Sequence, residues 1–123
     1  MLVESLKGKL PKEMLESMLE RGIREFTPPQ EMAIKAGLLD KRNMVIASPT
    51  ASGKTLVAEI ACVNAILSTG KRAIYIAPMR ALASEKFTEF KEAYPYISTA
   101  ISIGDLDSNT FSSMLSMCLL LLY

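Results

Sequence analysis

The sequence of 123 residues predicts an α/β domain built on a parallel sheet, with helices on both faces. Three short apolar runs have strand character, and they read "NMVIA", "RAIYIA" and "STAISIG". Longer segments with helical periodicity separate them. Because the connections are short, each strand-helix-strand unit is expected to form a right-handed crossover, which makes successive strands parallel and the sheet doubly wound.

Two short helices are predicted before the sheet. "LPKEMLESMLERG" begins near Pro11, ends at Gly22 and has an apolar stripe along one face. That stripe consists of Leu10, Met14, Leu15, Met18 and Leu19. "PQEMAIKAGLL" is the second helix, and its Pro29 suits a first helical turn.

The two helices between the predicted strands differ in character. "KTLVAEIACVNAILSTG" is apolar on most sides and ends at Gly70, so we expect it to lie against the sheet with other elements on its flanks. Only Glu59, Asn64 and Ser68 interrupt its apolar surface. "MRALASEKFTEFKEAY" is amphipathic, and its apolar residues approximate a single face.

Composition excludes several classes of site. Fourteen Lys and Arg against thirteen Asp and Glu leave a formal charge of +1, so any binding of nucleic acid must be local. The chain has no histidine, which excludes His triads, His general bases and zinc sites that need imidazole. Cys62 and Cys118 lack metal-ligand spacing, and both are predicted to be buried thiols of a cytoplasmic protein. No stretch is apolar over the roughly 18 residues needed to span a membrane.

The segment "ASPTASGKT", residues 47–55, is similar to a phosphate-binding loop. Gly53, Lys54 and Thr55 match the pattern G-x-x-x-x-G-K-[ST], whereas Ser48 stands at its first glycine. The loop follows a predicted strand and opens a helix, where free backbone N–H groups and the helix dipole attract phosphate. Lys54 would reach the β- and γ-oxygens of ATP, and the Thr55 hydroxyl would hold Mg²⁺. The alternative is an ordinary turn with a solvated lysine.

A second candidate lies upstream, in "FTPPQ". The side-chain amide of Gln30 offers one donor and one acceptor, which complement N7 and N6 of adenine, and Phe26 offers a ring on which the base can stack. The alternative is a solvated glutamine at a helix start beside a phenylalanine of the core.

Together these motifs give the chain a family resemblance. "FTPPQEMAI", "ASPTASGKT", "PMRALASEK" and "IGDLDS" resemble, in order and approximate spacing, the first motifs of superfamily 2 DExH-box helicases. They look most like the Ski-like branch, and within it the archaeal fork-processing DNA helicases related to the helicase half of polymerase theta. The resemblance covers residues 1–107 and implies a truncated RecA-like P-loop NTPase domain. It also implies ATP-driven, 3′ to 5′ movement on single-stranded or forked DNA.

The resemblance also assigns roles to individual residues. It implies that Lys54 is catalytic, that Thr55 binds Mg²⁺, and that Arg80 and Ala81 contact the backbone of a DNA strand. A solvated first-turn arginine is the alternative for Arg80. The nucleotide-binding residues that it implies are Phe26, Gln30, Ser48, Thr50, Ala51, Ser52, Gly53, Lys54 and Thr55.

Residues 108–123 do not continue the family pattern. They carry no charge and read "SNTFSSMLSMCLLLLY", and neither the D-E-x-H motif nor a second RecA-like domain is present in this sequence. Three interpretations compete: a frameshifted or prematurely stopped gene, which we favour, a cloning fragment, or an apolar strand that completes the sheet edge. We expect weak nucleotide binding without hydrolysis. The alternative function is a non-catalytic nucleotide-binding or interaction module, and the sequence leaves the oligomeric state open.

Overall fold

A computed structural model describes residues 1–49, 53–76, 80–102 and 118–122. The chain divides into two compact units, Met1–Asn64 and Ala65–Tyr123. Four α-helices and three strands are described: α1 (Lys12–Glu20), α2 (Pro28–Lys35), α3 (Lys54–Thr69), β1 (Ala73–Ile76), α4 (Arg80–Ala93), β2 (Ser98–Ser102) and β3 (Cys118–Leu122). Two short 3₁₀ turns, Val3–Leu6 and Leu38–Asp40, complete the first unit.

The first predicted helix is confirmed as α1. Pro11 is its N-cap residue, and Gly22, just beyond its C-cap, has a φ of +80°. This left-handed conformation ends the helix at little steric cost because glycine has no Cβ. The buried side of α1 carries Met14, Leu15 and Met18, which agrees with the stripe that the sequence predicts.

The N-terminal segment pairs with the chain that leads into α2. The amide of Val3 donates to the carbonyl of Arg24 at 2.9 Å, and the amide of Phe26 donates to the carbonyl of Met1 at 2.9 Å. This antiparallel pairing places Phe26 in the core of the first unit, where 4% of its surface is exposed.

The prediction of a strand at "NMVIA" is wrong for the structure as described. Residues 43–49 belong to no strand, and Val45 is 96% exposed. The segment runs beside α2, with which it lines a cavity of about 260 Å³ that includes Met32 and Ala33. An apolar run forms a strand only if a neighbouring strand accepts and donates its backbone hydrogen bonds. No described residue supplies that partner.

Two of the polar interruptions of α3 have structural partners in the first unit. The Asn64 side chain donates to the carbonyl of Leu39 at 3.2 Å, and Glu59 is paired with Arg21. Both polar residues are buried, and they alternate with the buried apolar residues Val57, Ile60 and Val63. α3 is therefore held by directional contacts as well as by apolar packing.

The second unit contains a three-stranded parallel sheet in the order β1-β3-β2. β1 and β2 confirm two of the three predicted strands. β3 comes from the atypical C-terminal residues, and it lies between the other two strands, with Leu120 opposite both Ile74 and Ala100. At Cys118–Leu122, the described part of the tail, the interpretation as an apolar strand agrees with the structure in conformation, although this strand is central and does not form an edge. A strand with neighbours on both sides suits an uninterrupted apolar sequence.

α4 packs against this sheet through an aromatic cluster. Phe90 meets Tyr75 of β1 edge-to-face, with ring centroids 5.9 Å apart, and Tyr94 is 1% exposed. Ile74 and Ile76 of β1 are 57% and 74% exposed, because alternate residues of a strand point to opposite faces.

Lys86 of α4 is largely removed from solvent and forms an ion pair within its own helix. Its side chain is 13% exposed, and its ammonium lies 2.9 Å from the Glu89 carboxylate. Burial lowers the pKa of Lys86, but the hydrogen bond to Glu89 and the charges of Glu89, Tyr75 and Glu85 outweigh it and raise the pKa above its ordinary value.

Candidate nucleotide-binding site

The site begins with a capping box at the start of α2. Thr27 is the N-cap residue, and its backbone N–H donates to Oε1 of Gln30 at 2.8 Å. Pro28 and Pro29 occupy the first two helical positions, where a missing N–H costs no helical hydrogen bond. The motif Thr-x-x-Gln is a known signature of a helix start, so this role of Thr27 was readable in the sequence, although it was not among our predictions.

The other end of the same amide reaches the phosphate-loop segment. Nε2 of Gln30 donates to the carbonyl oxygen of Gly53 at 3.0 Å, and Gln30 is 5% exposed. One side chain therefore connects the two candidate motifs. Since Oε1 accepts from Thr27 and Nε2 donates to Gly53, the amide is held in one of its two flip orientations.

Gly53 has two independent reasons to be glycine. Its φ of +85° lies in the left-handed region that residues with a Cβ rarely adopt. A Cβ at this position would also lie 2.2 Å from Nε2 of Gln30 and 3.4 Å from Oγ1 of Thr27. A side chain at position 53 would therefore push the Gln30 amide away from its present contact with the loop.

Lys54 and Thr55 are the first residues of α3, and both are exposed. The ammonium of Lys54 donates to the carbonyl of Ser48 at 2.7 Å, so its charge lies beside the residue at the first position of the loop pattern. Unbonded N–H groups and the positive end of the dipole meet at such a helix start, which favours an anion there.

The structure also locates several other predicted residues. Phe26 is buried, so its ring could stack on a base only after a local rearrangement, and its assigned role stays a prediction. Thr50, Ala51 and Ser52 lie outside the described residues. Arg80 is the first residue of α4 in the second unit, and Ala81 beside it is exposed.

Among the described residues, no three His, Cys, Asp or Glu side chains cluster so that they could hold a metal ion. Cys62 is half-buried, which is less than the full burial we predicted. Its burial and the charge of Glu59 raise the pKa of the Cys62 thiol to about 11. Cys62 therefore stays protonated near neutral pH and is a poor ligand and nucleophile.

Residues 27–118 match the family described as DEAD/DEAH box helicase. The chain belongs to this helicase family. The match begins at the N-cap of α2 and includes the phosphate-loop segment, so the capping box, Gly53 and Lys54 all fall within the helicase region. The family resemblance of the four sequence motifs is confirmed.

Archaeal helicases are among the similar proteins. The "ATP-dependent DNA helicase Hel308" of Thermococcus kodakarensis is 53% identical over 90 residues, which are 72% of this chain and 8% of that protein. The protein of the same name from Pyrococcus horikoshii is 47% identical over 109 residues, 88% of this chain and 15% of that protein. This helicase chain thus spans a small part of the relatives that it matches.

A solved structure shows a similar fold. The DUF1998 helicase MrfA, crystallised with DNA and AMPPNP, superimposes with a TM-score of 0.77 at 23% identity, over 93% of this chain and 17% of MrfA. In the part of this helicase chain that the structure describes, no helix is both long enough and apolar enough to cross a membrane.

Proposed function

We propose that this chain is part of the RecA-like ATP-binding domain of an ATP-dependent DNA helicase, and that residues 1–107 carry its nucleotide-binding elements. The observation that carries the proposal is the hydrogen bond from Gln30 to Gly53, because it joins a candidate base-reading residue to a candidate phosphate loop. Identity of about half to archaeal DNA helicases supports the same assignment. In the longer protein, the parallel strands described here would belong to a larger sheet with helices on both faces.

Adenine recognition is proposed for the donor and acceptor positions of the Gln30 amide that no described residue occupies. An NH₂ group has two donors and a carbonyl oxygen has two acceptor positions, and Gly53 and Thr27 use one of each. The remaining donor suits N7 of adenine, and the remaining acceptor suits its N6 amino group. Guanine presents acceptors at both N7 and O6, so an amide held in this orientation would disfavour it. Phe26 is the proposed stacking partner.

Phosphate binding is proposed for the loop and the first turn of α3. The residues involved are Ser48, Thr50, Ala51, Ser52, Gly53, Lys54 and Thr55. Glycine at position 53 lets the backbone come close to an anion, and Lys54 would exchange its contact with Ser48 for phosphate oxygens. The Thr55 hydroxyl would complete the coordination of Mg²⁺ supplied with ATP. Lys54 is the residue proposed to stabilise charge on the transferred phosphoryl group.

Arg80 and Ala81 are proposed to contact the backbone of single-stranded or forked DNA. Their place in the first turn of α4 supports this, because backbone N–H groups and a guanidinium together bind phosphate without reading sequence. Movement along DNA in the 3′ to 5′ direction is the proposed activity of the longer protein. For the 123-residue chain we propose weak nucleotide binding without turnover, since its sequence contains no D-E-x-H motif.

Titration of a ribose-labelled fluorescent ATP analogue with Mg²⁺ tests the phosphate site. We expect Lys54→Ala to weaken binding by about tenfold or more, because it removes the only side-chain charge proposed to meet the phosphates. Lys9→Ala is the matched control, since Lys9 is an exposed lysine of the same unit outside the site. Equal affinity of the wild type and Lys54→Ala would reject the phosphate site.

Competition with unlabelled nucleotides tests whether the site recognises adenine. ATP should displace the analogue from the wild-type chain at a concentration about tenfold lower than GTP, because GTP would place an acceptor opposite the remaining acceptor of Gln30. CTP serves as a control for the triphosphate alone. Equal displacement by ATP and GTP would refute adenine recognition by Gln30.

A further inference from the structure

The ion pair between Arg21 and Glu59 has the geometry of a positioning contact. Nη2 of Arg21 lies 2.5 Å from Oε1 of Glu59, and Nη1 lies 3.4 Å from Oε2. Arg21 is the C-cap residue of α1, and its Nε donates to the carbonyl of Ser17 at 3.3 Å. The guanidinium is therefore held by α1 through Nε, and it donates two hydrogen bonds to the Glu59 carboxylate through Nη1 and Nη2. These two hydrogen bonds form the Arg21 fork.

The ion pair between Arg21 and Glu59 is more buried than the ion pair between Lys12 and Glu16. The side chain of Glu59 is 10% exposed and that of Arg21 is 35% exposed. Lys12 and Glu16 are 84% and 56% exposed and lie 3.8 Å apart, so solvent screens them and little energy is gained. Breaking a largely buried, hydrogen-bonded ion pair is costly, so the Arg21 contact constrains where Glu59 can lie.

The geometry of α3 links the position of Glu59 to that of the candidate phosphate site. Glu59 lies one turn after Thr55 on α3, so the two side chains share a face of the helix. The apolar contacts of Val57, Ile60 and Val63 are non-directional and permit small rotations and shifts of the helix. The Arg21 fork opposes such movements, as does the hydrogen bond from Asn64 to Leu39, because both contacts are directional.

We propose that Arg21 is a positioning residue for nucleotide binding, which acts through Glu59 to hold the first turn of α3, with Lys54 and Thr55, in register with the bound phosphates. This inference rests on the proposed nucleotide-binding function. Arg21 itself touches no nucleotide. Its removal should therefore weaken the contacts of the triphosphate and leave those of the base and ribose unchanged.

The test compares two ligands on the full chain. Affinities of Mg²⁺-ATP and of adenosine are measured by competition for wild type, Arg21→Gln, Arg21→Lys and the control Lys12→Gln, which also removes one positive charge from α1. All measurements are made at a temperature at which circular dichroism shows each variant to be folded. Arg21→Gln should lower the preference for ATP over adenosine by about fivefold, and Arg21→Lys, which keeps the charge without the fork, by less.

Glu59→Gln and the double variant Arg21→Gln/Glu59→Gln complete the design. If Arg21 acts only through Glu59, the double variant should show no larger loss of ATP preference than Arg21→Gln alone.

Three results would overturn the inference. One is an unchanged ATP preference in Arg21→Gln. Another is an equal loss for ATP and adenosine, which marks a purely structural role. The third is failure of both Arg21 variants to fold where the wild type folds, because the pair would then serve the fold alone. A wild-type chain whose binding does not depend on Lys54 would instead refute the proposed function itself.

Discussion

Nε2 of Gln30 donates a hydrogen bond to the carbonyl oxygen of Gly53 across 23 positions of the sequence, and the Gly53 backbone fits there only because it has no Cβ. This contact ties the N-terminal turn of α2 to the residue before α3. Gln30 also closes the capping box with Thr27, so a single buried amide serves both the helix start and the loop. Substitution of either residue should therefore disturb the position and hydrogen bonding of the other.

Gly53→Ala should destabilise the chain more than the same change at a glycine of similar conformation. Both Gly53 and Gly8 have a positive φ, +85° and +89°, but an added Cβ meets no atom within 4 Å at Gly8. Gly8→Ala thus reports the conformational cost alone, about 1–2 kcal/mol. Gly53→Ala should cost about 1–3 kcal/mol more, because Gln30 must move from a buried hydrogen bond.

Urea unfolding followed by circular dichroism measures both free energies of unfolding. The double variant Gly53→Ala/Gln30→Ala provides a check, because removing the Gln30 side chain removes the clash. With Gln30 already changed to Ala, Gly53→Ala should therefore lower the free energy of unfolding by less than it does in the wild type. Equal destabilisation by Gly53→Ala and Gly8→Ala would contradict the close contact with Gln30.

Hydrogen exchange should distinguish two apolar runs of the same chain. The amides of Leu119–Leu121 belong to a strand with a neighbour on each side and should exchange slowly. Those of Met44–Ala47 have no backbone partner among the described residues and should exchange faster by about tenfold or more. Peptide-resolved mass spectrometry measures both in one sample. Rapid exchange throughout Leu119–Leu121 would show that the C-terminal residues do not form the middle strand.

The Cys62 thiol should resist alkylation in the folded chain. Its pKa is raised from 9.0 to about 11, chiefly by burial and then by the charge of Glu59, so near pH 8 the thiolate should be scarcer by about a hundredfold. Iodoacetamide labelling of the peptide that contains Cys62 should therefore be at least about tenfold slower in buffer than in urea.

The same pKa shift predicts the pH dependence of stability. The folded state binds the Cys62 proton more tightly than the unfolded state, so stability should fall as pH rises from about 9 towards about 11. Cys62→Ala should lack this component of the decline in stability.

In the labelling experiment, equal rates of iodoacetamide reaction in buffer and in urea would contradict the burial of the Cys62 thiol.

Acid should weaken the contacts of Glu31. The hydrogen bond from Lys35, and then that from the N-terminal amine of Met1, holds the pKa of Glu31 below its ordinary value of 4.5. Its stabilising contribution is present above that value and is lost as pH falls through the lowered pKa. Between about pH 6 and about pH 3, wild type should therefore lose more stability than Glu31→Gln. Glu4→Gln controls for the removal of an exposed carboxylate, and parallel losses in wild type and Glu31→Gln would refute the prediction.

Helices were the most predictable elements. α1, α3 and α4 appear where periodicity and their end signals place them, because a helix satisfies its backbone hydrogen bonds within its own segment. The residues that begin and end them, such as Pro11 and Gly22, act locally as well. The family, too, was readable from four short motifs, since phosphate-loop chemistry requires particular residues at particular spacings.

Strands were less predictable, because each depends on a neighbour that periodicity does not specify. "NMVIA" and "CLLLL" are similar apolar runs, yet in the described structure only the second has partners, Ala73–Ile76 and Ser98–Ser102. An apolar strand at the sheet edge was one of three interpretations of residues 108–123, whereas the ladder places Cys118–Leu122 in the middle.

By itself the sequence determined helices α1, α3 and α4, the helicase family and the residue types of the candidate nucleotide site, because those depend on local chemistry and spacing. Tertiary structure alone decided which groups meet. It brought Gln30 to Gly53 and Arg21 to Glu59, residues far apart in the chain. Such contacts depend on how whole helices pack, and that is settled by the sum of many weak interactions which no single motif encodes.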